Sequence, residues 1–194
     1  MPGQSLLILL LAASPPPPTL ADPRDGTSYR TVELGGLQWM AENLRYGVPG
    51  STCYGALAAN CARLGRLYDF ETASKSCPPG WRLPSDDDWK RLEMALGASA
   101  EEVATDRGRA GPLGDRLKPG GDTGFEALMA GYYDPHDKAY QHEGRTAAFW
   151  ASTLDGADDV SPLAWHRDVD MRRSTIWRSK VNVTYKLPVR CVSG

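Results

Sequence analysis

The sequence has little excess charge of either sign. Among its 194 residues, 24 are acidic and 22 are basic, so the formal net charge is -2. A protein that tracks nucleic-acid phosphates needs clustered lysine and arginine side chains, so this balance argues against a nucleic-acid partner. The fractions of hydrophobic (41%) and charged (24%) residues are instead typical of a globular chain with a packed core.

The sequence also lacks an apolar run that could cross a bilayer, for which about 20 helical residues are needed. The unbroken apolar run over residues 6–13 is shorter and is typical of a signal-peptide core. Thr19 and Ala21 supply small residues at the -3 and -1 positions of a cleavage site. We therefore predict a signal peptide over residues 1–21 and an exported domain over residues 22–194, either secreted or on the exterior of the cell envelope. The alternative is a hydrophobic leader that stays attached.

The four cysteines lack the spacing of a zinc site, because no Cys-x-x-Cys pair occurs and no histidine lies close to them. In an oxidising compartment two disulfides are the default, and four cysteines allow three pairings. We favour Cys53 with Cys61, since the seven residues between them form a short segment rich in small side chains. This choice leaves Cys77 to pair with Cys191.

Several enzyme motifs are also missing. Neither standard glycine-rich phosphate loop occurs, and no Gly-x-Ser-x-Gly nucleophile elbow occurs. His136 and His142 are six residues apart in a polar stretch, which is not the i, i+4 spacing of a helical metal site, so we interpret them as solvated loop residues. If all four cysteines are bridged, no thiol nucleophile remains.

What the sequence does contain is strands at both ends and helices in the early middle. Gly35 and Gly36 separate two apolar-polar stretches and predict a β-hairpin over residues 29–40. Ser85 and Asp88 have the spacing of a capping box, which predicts a helix that starts after Ser85 and stops at Gly97. A shorter helix is predicted over residues 70–75.

The second half of the chain predicts an irregular connection followed by strands. Glycine, proline, aspartate and arginine dominate residues 107–124 and indicate a long loop without helix. Strands after helices favour an α+β domain with an antiparallel sheet. The predicted later strands cover residues 125–133, 148–153, 163–169, 176–183 and 187–192.

A series of short motifs along the chain resembles that of a known domain family. The series includes Trp-Met-Ala-Glu-Asn-Leu at 39–44, Gly-Arg-Leu-Tyr at 65–68, Cys-Pro-Pro-Gly-Trp-Arg-Leu-Pro-Ser at 77–85, Gly-Phe at 124–125, Phe-Trp-Ala-Ser-Thr at 149–153 and Val-Arg-Cys at 189–191. In this order it resembles the Fibrobacter succinogenes major paralogous domain. The resemblance implies export and a C-type lectin-like fold: an antiparallel sheet with two early helices, long irregular loops and disulfide staples. It implies no specific function.

Two sets of residues are candidates for ligand binding. Asp155, Asp158 and Asp159 supply hard oxygen ligands that suit calcium, with a solvated loop as the alternative. The Glu-Pro-Asn and Trp-Asn-Asp triplets that mark calcium-dependent sugar-binding lectins are absent. The second set comprises Trp165, Trp177 and Arg178, because aromatic faces with polar rims suit sugar stacking or protein contact. The other tryptophans, Trp39, Trp81, Trp89 and Trp150, lie in the shared motifs and are predicted to hold the core.

These observations predict a secreted, non-enzymatic binding or surface-interaction module that needs no cofactor and does not span a membrane. Its ligand would be an extracellular glycan or protein. One alternative is an enzyme like the formylglycine-generating members of the lectin-like folds, although the cysteine placement here differs from theirs. The other alternative is a structural component of an extracellular matrix.

Overall fold

The computed structural model describes residues 17–109, 111–156 and 160–194. The described residues form five α-helices, and none of these has the length and apolar composition that a membrane crossing requires. The helices are α1 (Ala58–Leu64), α2 (Phe70–Lys75), α3 (Asp86–Ala95), α4 (Ala100–Ala104) and α5 (Leu113–Leu117), with a 3-10 turn at Tyr54–Ala56. The strands are β1 (Thr19–Ala21), β2 (Ser28–Leu34), β3 (Leu37–Met40), β4 (Leu67–Tyr68), β5 (Tyr132–Asp134), β6 (Ala139–Gln141), β7 (Thr146–Asp155), β8 (Leu163–Asp170), β9 (Ile176–Asn182), β10 (Leu187–Pro188) and β11 (Val192–Ser193).

The strands form antiparallel sheets, as the sequence predicts. One sheet has the order β1-β2-β3-β11, so the last strand of the chain pairs with the N-terminal hairpin, with Val192 opposite Trp39. A second sheet has the order β7-β8-β9 and is the longest in the molecule. Two small sheets, β4-β10 and β5-β6, complete the strands. The domain is therefore of mixed α and β structure with antiparallel sheets.

The sheet β7-β8-β9 contributes to two hydrophobic cores, because successive side chains of a strand point to opposite faces. Phe149 lies in one core with Trp39 and Trp89. Its neighbour Trp150 lies in the other core with Tyr68. Tryptophan rings thus fill the centre of both cores in a chain that contains only 3 phenylalanines.

Local sequence signals place several elements correctly. The hairpin is present as β2 and β3, and α2 has the predicted bounds. Ser85 caps α3 and forms both hydrogen bonds of the capping box with Asp88. Gly97, in a left-handed conformation (φ 109°), follows the end of α3.

Three predictions need correction. The helices number five in the described residues, not two, because α1 forms around Cys61, α4 follows α3, and α5 forms later in the chain. The connection over 107–124 contains α5, whose Leu113 and Leu117 are buried in the first core. Residues 125–131 are not a strand, because Glu126 and Gly131 adopt positive φ angles (52° and 63°).

Residues 1–16 of the predicted signal peptide lie outside the described part of the chain. Its last three residues form β1, which pairs with β2. Asp22, the predicted new N-terminal residue, is buried and bonded to Arg24 (Oδ2 to Nη2, 2.7 Å). Cleavage after Ala21 would remove β1 and stays a prediction.

Both predicted disulfides are present, Cys53–Cys61 and Cys77–Cys191. The first closes the turn that contains the start of α1. The second joins the segment before α3 to the last strands of the chain, across 114 residues. The four cysteines of the sequence are therefore all bridged.

Next to Cys191, the guanidinium of Arg190 is fully buried and contacts neutral acceptors from two distant segments. It donates to Oδ1 of Asn43 (2.7 Å) and to the carbonyl of Met40 (3.0 Å). It also donates to the carbonyls of Phe125 and Glu126 (both 2.7 Å), and it lies 4.7 Å from the centre of the Phe125 ring. We call these five residues the Arg190 cage.

Replacing Arg190 should destabilise the whole domain. In Arg190→Met the buried carbonyls lose their donors, so we expect the free energy of unfolding to fall by about 3 kcal/mol or more. Arg91→Met is the control, because the Arg91 side chain is 61% exposed, and its effect should stay within about 0.5 kcal/mol. Urea denaturation measures both; equal effects would show that the cage is not a stabilising unit.

The two disulfides should differ in their contribution to stability. In the chain-entropy model, closing 114 residues is worth about 5 kcal/mol, whereas closing 8 residues is worth about 2.5 kcal/mol. Thermal and urea unfolding of Cys77→Ala/Cys191→Ala should therefore show the larger loss, with Cys53→Ala/Cys61→Ala as the matched comparison. A larger loss from the short bridge would contradict this expectation.

Candidate functional site

Trp177 lies on β9 and keeps 38% of its surface exposed. The chain around Gly108 runs along the outer edge of β9, where Arg109 N donates to Ile176 O (2.9 Å). The indole ring packs over Gly108, since a Cβ there would lie 2.9 Å from the ring. Glycine at 108 therefore lets the backbone support one side of the ring.

Around Trp177 the surface forms a shallow groove of about 590 Å³, which we call the Trp177 groove. The rim offers hydrogen-bond donors and acceptors together, since Arg107 and Glu101 are exposed and Thr175 is half-buried. Arg173 lies near the ring as well, with its guanidinium carbon 5.2 Å from the ring centre. The lining residues are Glu101, Glu102, Thr105, Arg107, Gly108, Arg109, Thr175 and Trp177.

Trp165 and Arg178 do not join this surface. Trp165 on β8 lies opposite Lys180, whereas Trp177 lies opposite Asp168, so the two indoles point to opposite faces of the sheet. Trp165 is only 8% exposed, and the guanidinium of Arg178 covers its ring at 3.3 Å. Of the three predicted binding residues, only Trp177 is exposed. Trp165 is instead an inward residue of the core that contains Trp39 and Trp89.

Arg178 belongs instead to a buried ionic cluster, the Asp86–Glu93 network. Asp86 accepts two hydrogen bonds from Arg178 (2.8 and 2.9 Å) and one from Arg167 (2.8 Å). Glu93, two turns further along the same face of α3, bonds to Arg167 and to Arg109. These charged groups are buried, so each must keep its partner to avoid a desolvation penalty.

The network also holds one wall of the Trp177 groove. Nη1 of Arg109 donates to the carbonyls of Glu102 (2.8 Å), Thr105 (2.9 Å) and Arg107 (3.0 Å). Arg109 is in turn fixed by Glu93, with Nε 2.5 Å from Oε2. The side chain of Arg109 thus connects the groove wall to Glu93 on α3.

Sequence analysis missed this network. The three acids of the first turn of α3 have a sufficient local explanation as capping residues, which conceals the long-range role of Asp86. The alternation of side chains in β8 and β9 could have indicated it. Arg167 and Arg178 lie two residues from the apolar Val169 and Ile176, and therefore on the same face of the sheet.

Of the three calcium candidates, Asp155 lies in the described part of the chain. Asp155 forms an ion pair with Lys180 (Oδ2 to Nζ, 3.0 Å). Asp158 and Asp159 lie outside the described residues. Over residues 17–109, 111–156 and 160–194, no three His, Cys, Asp or Glu side chains form a group that could hold a metal ion.

Asp86 should make stability dependent on acid pH. Burial alone would raise the pKa of its carboxyl, but hydrogen bonds and charge from Arg178 and Arg167 outweigh burial and hold the pKa well below its ordinary value. A carboxyl with a lowered folded pKa stabilises the protein above its unfolded pKa, and this contribution is lost as the pH falls toward the folded pKa.

We therefore expect Asp86→Asn to lower the free energy of unfolding at pH 7 by about 3 kcal/mol, since the buried guanidiniums of Arg167 and Arg178 lose a charged partner. Its stability should also decline less steeply than that of the wild type between pH 5 and pH 2. The control is Asp87→Asn, whose side chain is 77% exposed in the same helical turn. Urea titrations across this pH range test both points; parallel curves for wild type and Asp86→Asn would contradict them.

The comparisons with known proteins agree with the motif series. The model of the Fibrobacter succinogenes major domain matches residues 32–193. This range contains both disulfides, the Arg190 cage and the Trp177 groove. Searches of the curated proteins and of the solved structures found no match. Since the family model matches from within β2 to the last strand, the chain belongs to the Fibrobacter succinogenes major domain family.

Proposed function

We propose that this domain is an exported, non-enzymatic module that binds carbohydrate in the Trp177 groove. The observation that carries the proposal is the exposed indole of Trp177 in a groove with a polar rim. Aromatic rings bind the apolar C–H face of a sugar ring, while rim groups bond to its hydroxyls.

The rim chemistry favours a sugar over an apolar peptide. A sugar hydroxyl both donates and accepts, and the rim supplies a guanidinium donor at Arg107 and a carboxylate acceptor at Glu101. The hydroxyl of Thr175 can do either. Because the ring rests on Gly108, little conformational entropy is lost when a ligand stacks on it.

We further propose a C-type lectin-like fold for the domain. Two features support it: the last strand β11 pairs with the N-terminal hairpin, and Cys77, just before α3, is bridged to Cys191 beside β11. The loop residues 105–109, which follow α4, form part of one groove wall, as expected of a fold whose loops carry the binding surface.

The two disulfides support the proposal that the domain is exported and non-enzymatic. Disulfides are typical of oxidising compartments outside the cytosol. With all four cysteines bridged, the chain keeps no thiol for the chemistry of formylglycine-generating enzymes. A binding role therefore agrees with the structure better than a cysteine-dependent reaction.

The proposal predicts that Trp177 dominates glycan binding. Glycan arrays probed with the wild-type protein, with and without calcium, identify a sugar ligand, and isothermal titration then gives its affinity. We expect Trp177→Ala to weaken binding at least tenfold, because a central tryptophan commonly carries 2 kcal/mol or more of binding free energy. Trp177→Phe should lose less, because it keeps an aromatic face.

Leu57→Ala is the matched control, since Leu57 is 62% exposed and does not line the groove. Circular dichroism must show that each variant is folded. Undiminished glycan binding by Trp177→Ala would overturn the proposed site. Concentration-dependent self-association on size exclusion, without any glycan bound, would favour a structural matrix component instead.

A further inference from the structure

A second recess lies beside β8, away from the groove wall formed by residues 101–109. It is a cavity of about 230 Å³, which we call the His166 cavity. His166 and Asp168 are neighbours on one face of β8, and Tyr132 and Tyr185 reach the recess from β5 and from the segment before β10. The lining residues are Tyr132, Ala148, His166, Asp168, Lys180, Val181, Tyr185 and Leu187.

His166 leaves one ring nitrogen without a partner. Its Nε2 lies 3.1 Å from Oδ2 of Asp168, and the side chain is 9% exposed. Among the described residues, Nδ1 of His166 is the one buried side-chain nitrogen or oxygen with no hydrogen bond. When Nε2 carries the hydrogen and donates to Asp168, Nδ1 offers a lone pair, so it is an unused acceptor.

The two tyrosine hydroxyls use their hydrogens elsewhere. Tyr185 donates to Oδ2 of Asp134 (2.9 Å), and Tyr132 donates to Oε1 of Gln141 (3.3 Å). Burial and the neighbouring Asp134 carboxylate raise the pKa of Tyr185 to about 12, so this donated hydrogen is kept at neutral pH. A phenol has a single hydrogen, so toward the cavity both side chains offer only acceptor lone pairs and aromatic faces.

Lys180 does not supply the missing donor. The register places Lys180 opposite Trp165, on the other face of the sheet from His166 and Asp168. Its ammonium lies 3.0 Å from Asp155 and 4.5 Å from the centre of the Trp165 ring. The polar side chains that face the cavity are therefore acceptors, and Asp168 brings a negative charge.

We propose that the His166 cavity binds a small primary ammonium group. The Asp168 carboxylate, held in place by Nε2 of His166, would be the acceptor of its N–H groups. The faces of Tyr132 and Tyr185, whose ring centres are 6.1 Å apart, would add cation–π attraction, and Leu187 would contact the attached carbon chain. A positively charged hydrogen-bond donor can interact favourably with the carboxylate, the acceptor atoms and the aromatic faces. An anion or an apolar ligand can donate no hydrogen bond to the carboxylate or to the other acceptors.

Three small probes separate charge from hydrogen bonding in this cavity. Butylammonium has a charge and three N–H donors, tetramethylammonium has a charge but no donor, and 1-butanol has no charge. Proton NMR titration of the disulfide-bonded protein at pH 7.5 should show saturable shifts of the tyrosine rings with butylammonium. Tetramethylammonium should bind more weakly, and 1-butanol should not saturate at the same concentrations.

Asp168→Asn tests the main acceptor, because the amide oxygen can still accept from His166 while the charge is gone. We expect roughly tenfold weaker binding of butylammonium, as a charge-assisted hydrogen bond is lost. Asp87→Asn removes an exposed charge that does not line the cavity and should leave the affinity unchanged. If Asp168→Asn fails to fold, Tyr132→Leu removes an aromatic face instead and should also weaken binding.

The proposal is overturned if butylammonium gives no saturable shifts, if 1-butanol or tetramethylammonium binds as tightly, or if the folded Asp168→Asn variant keeps the wild-type affinity. Since none of the probes is a sugar, these results do not depend on whether the Trp177 groove binds glycans.

Discussion

The fold depends on a buried guanidinium, that of Arg190, which has no carboxylate partner among the described residues. Burial lowers the pKa of Arg190 to about 9, so the group still carries its charge at neutral pH and must be solvated by the protein itself. Carbonyls of Met40, Phe125 and Glu126 and the amide of Asn43 do this. These acceptors come from the end of the N-terminal hairpin and from the long central connection, so the C-terminal segment fixes both. The left-handed conformation at Glu126 (φ 52°) accompanies the turn of its carbonyl toward the guanidinium. The motifs at 39–44, 124–125 and 189–191, which lie far apart in the sequence, therefore contribute to one cage.

The Asp86–Glu93 network also compensates buried guanidiniums, but it does so with carboxylates in place of neutral acceptors. Where neutral carbonyls surround Arg190, two carboxylates on one face of α3 bind the guanidiniums of Arg167 and Arg178 from the central sheet. Such pairs contribute little net stability compared with apolar packing, but they strongly disfavour any arrangement in which one charge is left alone. They therefore specify the position of α3 on the sheet, and through Arg109 the position of the chain that forms the groove wall.

The sequence predicts those features whose cause is local. The hairpin follows from Gly35-Gly36 and the start of α3 follows from Ser85 and Asp88, because each is decided by contacts within a few residues. The disulfide pairing follows from the short spacing of Cys53 and Cys61. The environment of the candidate binding residues was less predictable. Trp165 is buried because Arg178 covers its ring, and Arg178 is held by Asp86, which lies 79 residues before Trp165 in the sequence. Only the period-two pattern of β8 and β9 could have separated Trp165 from Trp177 in advance.

That same alternation makes two different surfaces from one pair of strands. Arg178 points into the ionic network, and so its neighbour Trp177 must point the other way, directly opposite Asp168. Although Trp177 and Asp168 are cross-strand neighbours, they belong to two different surfaces, because different residues surround each of them. Trp177 is bordered by the 101–109 chain, which contributes donors and acceptors and so matches hydroxyl groups. Asp168 is bordered by His166 and the tyrosines, whose hydrogens are already used, so it matches a donor with positive charge. The difference between the two surfaces therefore comes from which hydrogen-bond donors and acceptors each one leaves free for a ligand.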